Sequence, residues 1–221
     1  MSKFDQFPFL LKLLVCLLLL LLAYPFVTTL FNLPFTSPWK YIMVAFFLPL
    51  YSIVFMPLLT LLKVADFKSE LLFITKDASK NYDIHFGSLF DCILSGLFRG
   101  KRGGFKDLML YFLVDGMLNI IKDIEAGRIN KEVEIRGSSY FFNQKTAKKF
   151  GFQSMEMKVS HKYILYLNYL EILLVFSFSK GRFSLPNIGD FNSVKTTGAQ
   201  LVEHKVYIEK LHKMLKSKVN V

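Results

Sequence analysis

Residues 13–31 read LLVCLLLLLLAYPFVTTLF, nineteen residues without a charged side chain. Residues 41–62 read YIMVAFFLPLYSIVFMPLLTLL and again carry none. A helix needs about 20 apolar residues, at 1.5 Å each, to cross a hydrocarbon core of roughly 30 Å. Both runs meet that requirement, and no other stretch of the sequence does. The connection between them, NLPFTSPWK, contains the turn formers Asn32, Pro34 and Pro38. The pattern therefore predicts a two-helix transmembrane hairpin over 1–63, with helices near 10–31 and 41–62. Trp39 and Tyr41 fall where an interfacial aromatic belt sits. Pro49 and Pro57 interrupt the second helix and shape its packing, since no charged residue accompanies them in the span. A cleaved signal peptide fits less well: the first run outlasts a signal core, and Tyr24 and Pro25 follow Ala23 where a small-x-small site would stand.

Charge divides the chain at the same place. Of 28 Lys and Arg and 17 Asp and Glu in all, residues 1–63 hold only Lys3, Asp5, Lys12, Lys40 and Lys63. That leaves 24 basic and 16 acidic residues, a net of +8, for 64–221. Lys3, Lys12, Lys63, Lys68, Lys76 and Lys80 flank the helices on one side and only Lys40 on the other. The positive-inside rule then puts both termini in the cytoplasm. The expectation is a multi-pass protein of a cell membrane, a bacterial inner membrane, with a basic cytosolic domain. Cys16 and Cys92 offer no disulfide framework, which fits a reducing compartment.

The cytosolic part reads as a small α+β domain with amphipathic helices, divided into juxtamembrane helices over 64–126 and an α+β unit over 127–221. In 86–98, Phe86, Leu89, Phe90, Ile93, Leu94, Leu97 and Phe98 recur with helical spacing. The opposite face is small, and Ser88, Cys92 and Gly96, spaced by four, suit close helix packing. Arg99, Lys101 and Arg102 follow at once, a basic cluster suited to an anionic leaflet. A second amphipathic helix is predicted over 105–126, weakened at Gly116 and capped by Gly127. Lys131–Arg136 alternates like a strand broken at Gly137. A short helix, QKTAKKF, ends at Gly151, with a short strand following near 152–158. The apolar stretch from 160 reads as a turn or two of helix near 161–168, then strands at 172–178 and 182–185. The last helix spans about 198–216, with Thr197 and Gln200 forming a capping box and Leu201, Ile208, Leu211 and Leu215 one stripe.

No catalytic residue, metal or cofactor is expected. His85, His161, His204 and His212 lack partners at metal-ligand spacing, and neither a phosphate-binding loop nor a nucleophile elbow is present. The segment Asn143-x3-Ala147-x2-Phe150-Gly151-Phe152 resembles the tail of the GNAT acetyltransferases. That resemblance implies acetyl-CoA, but the family's Q/R-x-x-G-x-G/A loop is missing, so no cofactor is carried over. The best polar corner is the strand-turn-helix around Arg136, Ser138, Ser139, Asn143, Lys145 and Lys149, where a strand end and a helix start offer backbone N–H groups to an anion.

Three functions follow, in order of support. The first is a membrane-anchored interaction or assembly module, its partners the lipid bilayer and a protein or a second copy of the chain. The second is an enzyme or binding domain for an anionic lipid headgroup or phosphorylated ligand at the membrane surface. Last comes a membrane-tethered nucleic-acid binder, the least favoured because acids disperse the positive charge.

Overall fold

A computed structural model describes residues 2–34, 36–96, 105–139, 144–157, 159–180, 182–187, 189 and 191–219. A turn of 3-10 helix at Phe4–Gln6 leads into α1 (Phe9–Asn32), and α2 (Pro38–Leu61) follows. The two helices touch each other, and α2 also touches the Phe4–Gln6 turn. Of the side chains of α1 only Cys16 is buried, while Leu10, Leu14, Leu21 and Leu22 are exposed. This helix is long and apolar enough to cross a bilayer, a property that a membrane anchor and a signal sequence share.

A mixed α/β domain comes next. Among the described residues it comprises β1 (Asp66–Phe67), β2 (Leu72–Lys76), β3 (Tyr82–Phe86), α3 (Leu89–Gly96), α4 (Phe105–Glu125), β4 (Glu134–Ser139), α5 (Gln144–Lys149), β5 (Gln153–Met155), α6 (Val159–Leu167), α7 (Tyr169–Lys180), β6 (Asn192–Thr197), α8 (Gly198–Glu203) and α9 (Lys205–Val219). Its strands form one sheet in the order β1-β2-β3-β4-β6-β5. β3 and β4 run parallel and the other neighbours antiparallel. The β3–β4 crossover carries α3 and α4, so the sheet joins residues on both sides of position 126.

Apolar burial by α4 builds the core. Met109, Val114, Met117, Ile120, Ile121 and Ile124 are all shielded from water and meet Leu72, Ile135, Leu201 and Ile208. Gly116 sits in this interface because a Cβ there would lie 2.4 Å from the Leu72 side chain; the apparent weak point is where helix and sheet approach. β2 is buried on both faces. Leu72 and Ile74 join the main core, while Phe73 packs with Phe67, Ala65 and Met56 near the end of α2.

Several expectations need correction. The segment 172–178 is helical, part of α7, and 182–185 is not a strand. A short apolar run buried on several sides loses the period that separates helix from strand. β4 does not stop at Gly137; it continues to Ser139 because β6 pairs along its whole length. Phe86 belongs to β3, so α3 begins only at Leu89. The final helix is two, broken at His204. Other expectations hold. The Thr197–Gln200 capping box forms, and Gly127 and Gly151 take positive φ at helix ends.

Candidate functional site

Where α2, α3 and α7 converge, the chain builds a cleft of about 260 Å³. Its apolar wall is Met56 from α2, Phe86 from β3, and Ile172 and Val175 from α7; its polar lining is Ser88, Asn168 and Glu171. The local sequence explains the polar groups. Ser88 caps α3, and Asp91 stands three residues on, at the reciprocal position of a capping box. The Ser88 backbone N–H and hydroxyl both donate to Asp91 Oδ2, at 3.0 and 2.9 Å. Glu171 reaches across from α7, and its Oε1 accepts the Leu89 backbone N–H at 2.8 Å. Two carboxylates thus gather at the positive end of one short helix, which favours negative charge there.

Asp91 pays for its depth. Burial raises its pKa to about 6, against the two Ser88 hydrogen bonds, and the charges of Glu171 and Asp5 push the same way. Next to it, burial pushes the Cys92 thiol far up, so that it remains a neutral SH. Ser95, also buried, has no hydrogen-bond partner for its hydroxyl among the described residues. The site is drawn tight against the turn that precedes α1: Phe4, itself buried, stacks edge-on against Phe90 at 5.8 Å.

No protein-family model, curated protein or solved structure matches the chain. The site must therefore be read from its own groups. A buried acid with a raised pKa beside a cleft is a frequent mark of function, though structural caps perturb acids too.

The residues singled out from sequence are scattered over the domain. Ser88 is buried at the cleft, Cys92 is buried in the core behind it, and Gly96 ends α3. Arg99, Lys101, Arg102 and Asn143 lie outside the described residues. Ser138 and Ser139 belong to the β4–β6 ladder, opposite Ser193 and Asn192, and Lys145 lies in α5. Arg136 pairs with Glu134 and, at 3.4 Å, with Asp77. The Glu134 hydrogen bond raises its pKa and fixes it as a cation already engaged. Exposed Lys149 holds its ammonium 6.0 Å over the Tyr207 ring.

The histidines serve separate contacts. His85 Nε2 meets Thr75 Oγ1 at 2.8 Å, and His212 Nε2 meets Asp115 Oδ1 at 3.1 Å under the Tyr111 ring. Among the described residues, no group of three or more His, Cys, Asp or Glu side chains is placed to hold a metal ion. Sequence reading missed Asp91 and Glu171 as a pair. The signals were Ser88-x-x-Asp91 ahead of an apolar helix, and a lone glutamate inside an apolar run.

Proposed function

We propose that this chain is a membrane-anchored docking module. In this reading α1 and α2 cross a cell membrane as a hairpin and hold the basic α/β domain on the cytoplasmic leaflet, where it engages a protein partner or a second copy. The observation that carries it is the clasp between anchor and domain. Phe4 precedes α1, Phe90 follows α2, and the two rings touch. Contact between the two ends of the helix pair supports an even number of crossings. α2 has 24 residues, a length of about 36 Å, enough for the second crossing. Lys40, in the first turn of α2, turns its ammonium back onto the Leu33 carbonyl at 3.0 Å, which eases the charge at that end.

Labelling of single cysteines with a membrane-impermeant maleimide tests the hairpin. Thr36→Cys should react on intact cells and Ala78→Cys only after permeabilisation, with Cys16 and Cys92 silent because both are buried. Labelling of both from the same side would overturn the hairpin. A photocrosslinker at Lys213 on the exposed side of α9 tests docking in cells; a strictly monomeric protein with no crosslinked product would remove that reading.

A second reading, binding of an anionic lipid or phosphorylated ligand, draws support from α9, where Lys210, Lys213, Lys216 and Lys218 are all exposed. It predicts that Lys213→Glu with Lys216→Glu abolishes preferential retention of phosphatidylglycerol over phosphatidylcholine. Nucleic-acid binding, as a third reading, would show a steep fall in affinity with salt.

A further inference from the structure

A second surface beside the cleft has the chemistry of a lipid contact. Tyr163, Tyr166 and Leu167 stand on one face of α6, at 67, 62 and 58 % exposure. The segment 182–187 folds back along α7 and is fastened there. The Arg182 N–H donates to the Ser177 carbonyl at 3.2 Å and the Ser184 N–H to the Ser177 hydroxyl at 3.1 Å. The Tyr169 hydroxyl donates to the Pro186 carbonyl at 3.3 Å. These bonds hold Phe183 and Leu185 outward, at 76 and 67 % exposure. Through Tyr169, which begins α7, they also bring Leu185 beside the α6–α7 corner. Large apolar side chains held outward in this number mark a contact surface.

We infer that the outer face of α6 and the return segment 182–187 lie in the headgroup region of the bilayer, on the leaflet that the domain faces. The inference rests on the membrane-anchor reading above and names one further surface that meets lipid.

Three observations choose lipid as the occupant. First, α7 packs on α2, with Ile172 and Val175 sharing a cleft with Met56. Met56 lies five residues before the end of α2 at Leu61, about 7.5 Å along the helix, which on the membrane-anchor reading puts it near the edge of the hydrocarbon core. Second, tyrosines beside apolar side chains are the residues of the interfacial belt. Third, the charge fits an anionic leaflet. Lys162, Lys180 and Arg182 are exposed, and between 160 and 189 the only acidic residue is Glu171, which is turned onto α3.

Spin labels on the full chain in nanodiscs test this, with oxygen and a water-soluble nickel chelate as collision reagents. Labels replace Leu21 in α1, Tyr166, Phe183, and Ala78 in the β2–β3 turn. In phosphatidylcholine with phosphatidylglycerol, positions 166 and 183 should show an oxygen-to-nickel ratio severalfold above position 78 and below position 21. Lys162→Glu with Lys180→Glu and Arg182→Glu should lower the ratio at 183 in these discs and not in phosphatidylcholine alone. If 166 and 183 are as open to nickel as 78 while 21 is lipid-exposed, the anchor stands and this inference falls. Labels shielded from both reagents would mean a protein neighbour and overturn it equally. A water-exposed label at 21 would remove the anchor reading itself.

Discussion

Two helices of the domain bury opposite kinds of face. α4 turns Met109, Met117, Ile120, Ile121 and Ile124 inward, an ordinary apolar core. α3 and its cap bury Ser88, Asp91, Cys92 and Ser95 together with Leu89, and leave Phe90, Ile93 and Leu94 half-buried. The difference follows from what lies outside each. α4 is enclosed by the sheet, α8 and α9, so area removed from water is enough to hold it. α3 sits among α2, α7 and the Phe4 turn. There Phe90 packs on Phe4 and Ile93 on the main core, and a buried polar group costs least when it is hydrogen-bonded. Ser88 and Asp91 partner each other, and Glu171 serves the open end of the helix.

Substitution can break this contrast. The largest effect belongs to α4: Ile121→Ala should cost about 2–5 kcal/mol in denaturant unfolding of the detergent-solubilised chain. At the α3 corner Glu171→Ala strands the Leu89 N–H and should cost about 2 kcal/mol, whereas Glu171→Gln keeps an acceptor and costs less. A ranking of Glu171→Ala above Ile121→Ala would mean that the polar corner, not the apolar core, dominates stability.

Acidity sharpens the same contrast. Asp91 has a folded pKa of about 6 against an ordinary value of 3.8. The folded protein therefore holds that proton more tightly, and stability rises as pH falls from 7 through 6, levelling off near the ordinary value. Roughly 2 kcal/mol of that gain falls between about pH 7.5 and 4.5, and Asp91→Asn should flatten it in melting curves over that window. Asp123, where α4 ends, runs the other way. Burial works to raise its pKa, but hydrogen bonds and charges from Lys68 and Arg128 outweigh it and hold the carboxyl low. Its contribution is present above the ordinary value and is lost as pH falls through the folded one. Removal of its partner through Lys68→Met should cost about 1 kcal/mol, the smallest effect of the series, because Asp123 keeps a second cation, Arg128, when this largely buried ion pair is lost.

Much of this was legible in the sequence wherever one period governed a long segment. The apolar stripes of α4 and α9, the Thr197 capping box and the glycine caps at 127 and 151 all follow from local rules. The sheet was harder. β2, as Leu72-Phe73-Ile74, is buried on both faces and never alternates, and β6 takes its identity from its partner β4. Apolar side chains facing several neighbours disguised α7 as a strand. At the cleft each residue was visible but the grouping was not, since the fold alone brings Asp91 and Glu171 to the same end of α3.

The contact between Phe4 and Phe90 also sets an order of events. Synthesis delivers the first ring long before the second, with both apolar helices between them. The early turn stays without this contact until α3 emerges. Closing that contact ties the two ends of the helix pair into a ring, so neither helix can slide or rotate without dragging α3. Phe90 stands between Ser88 and Asp91, so a displacement of the Phe4 turn or of the helices beside it reaches the polar cap of α3 directly.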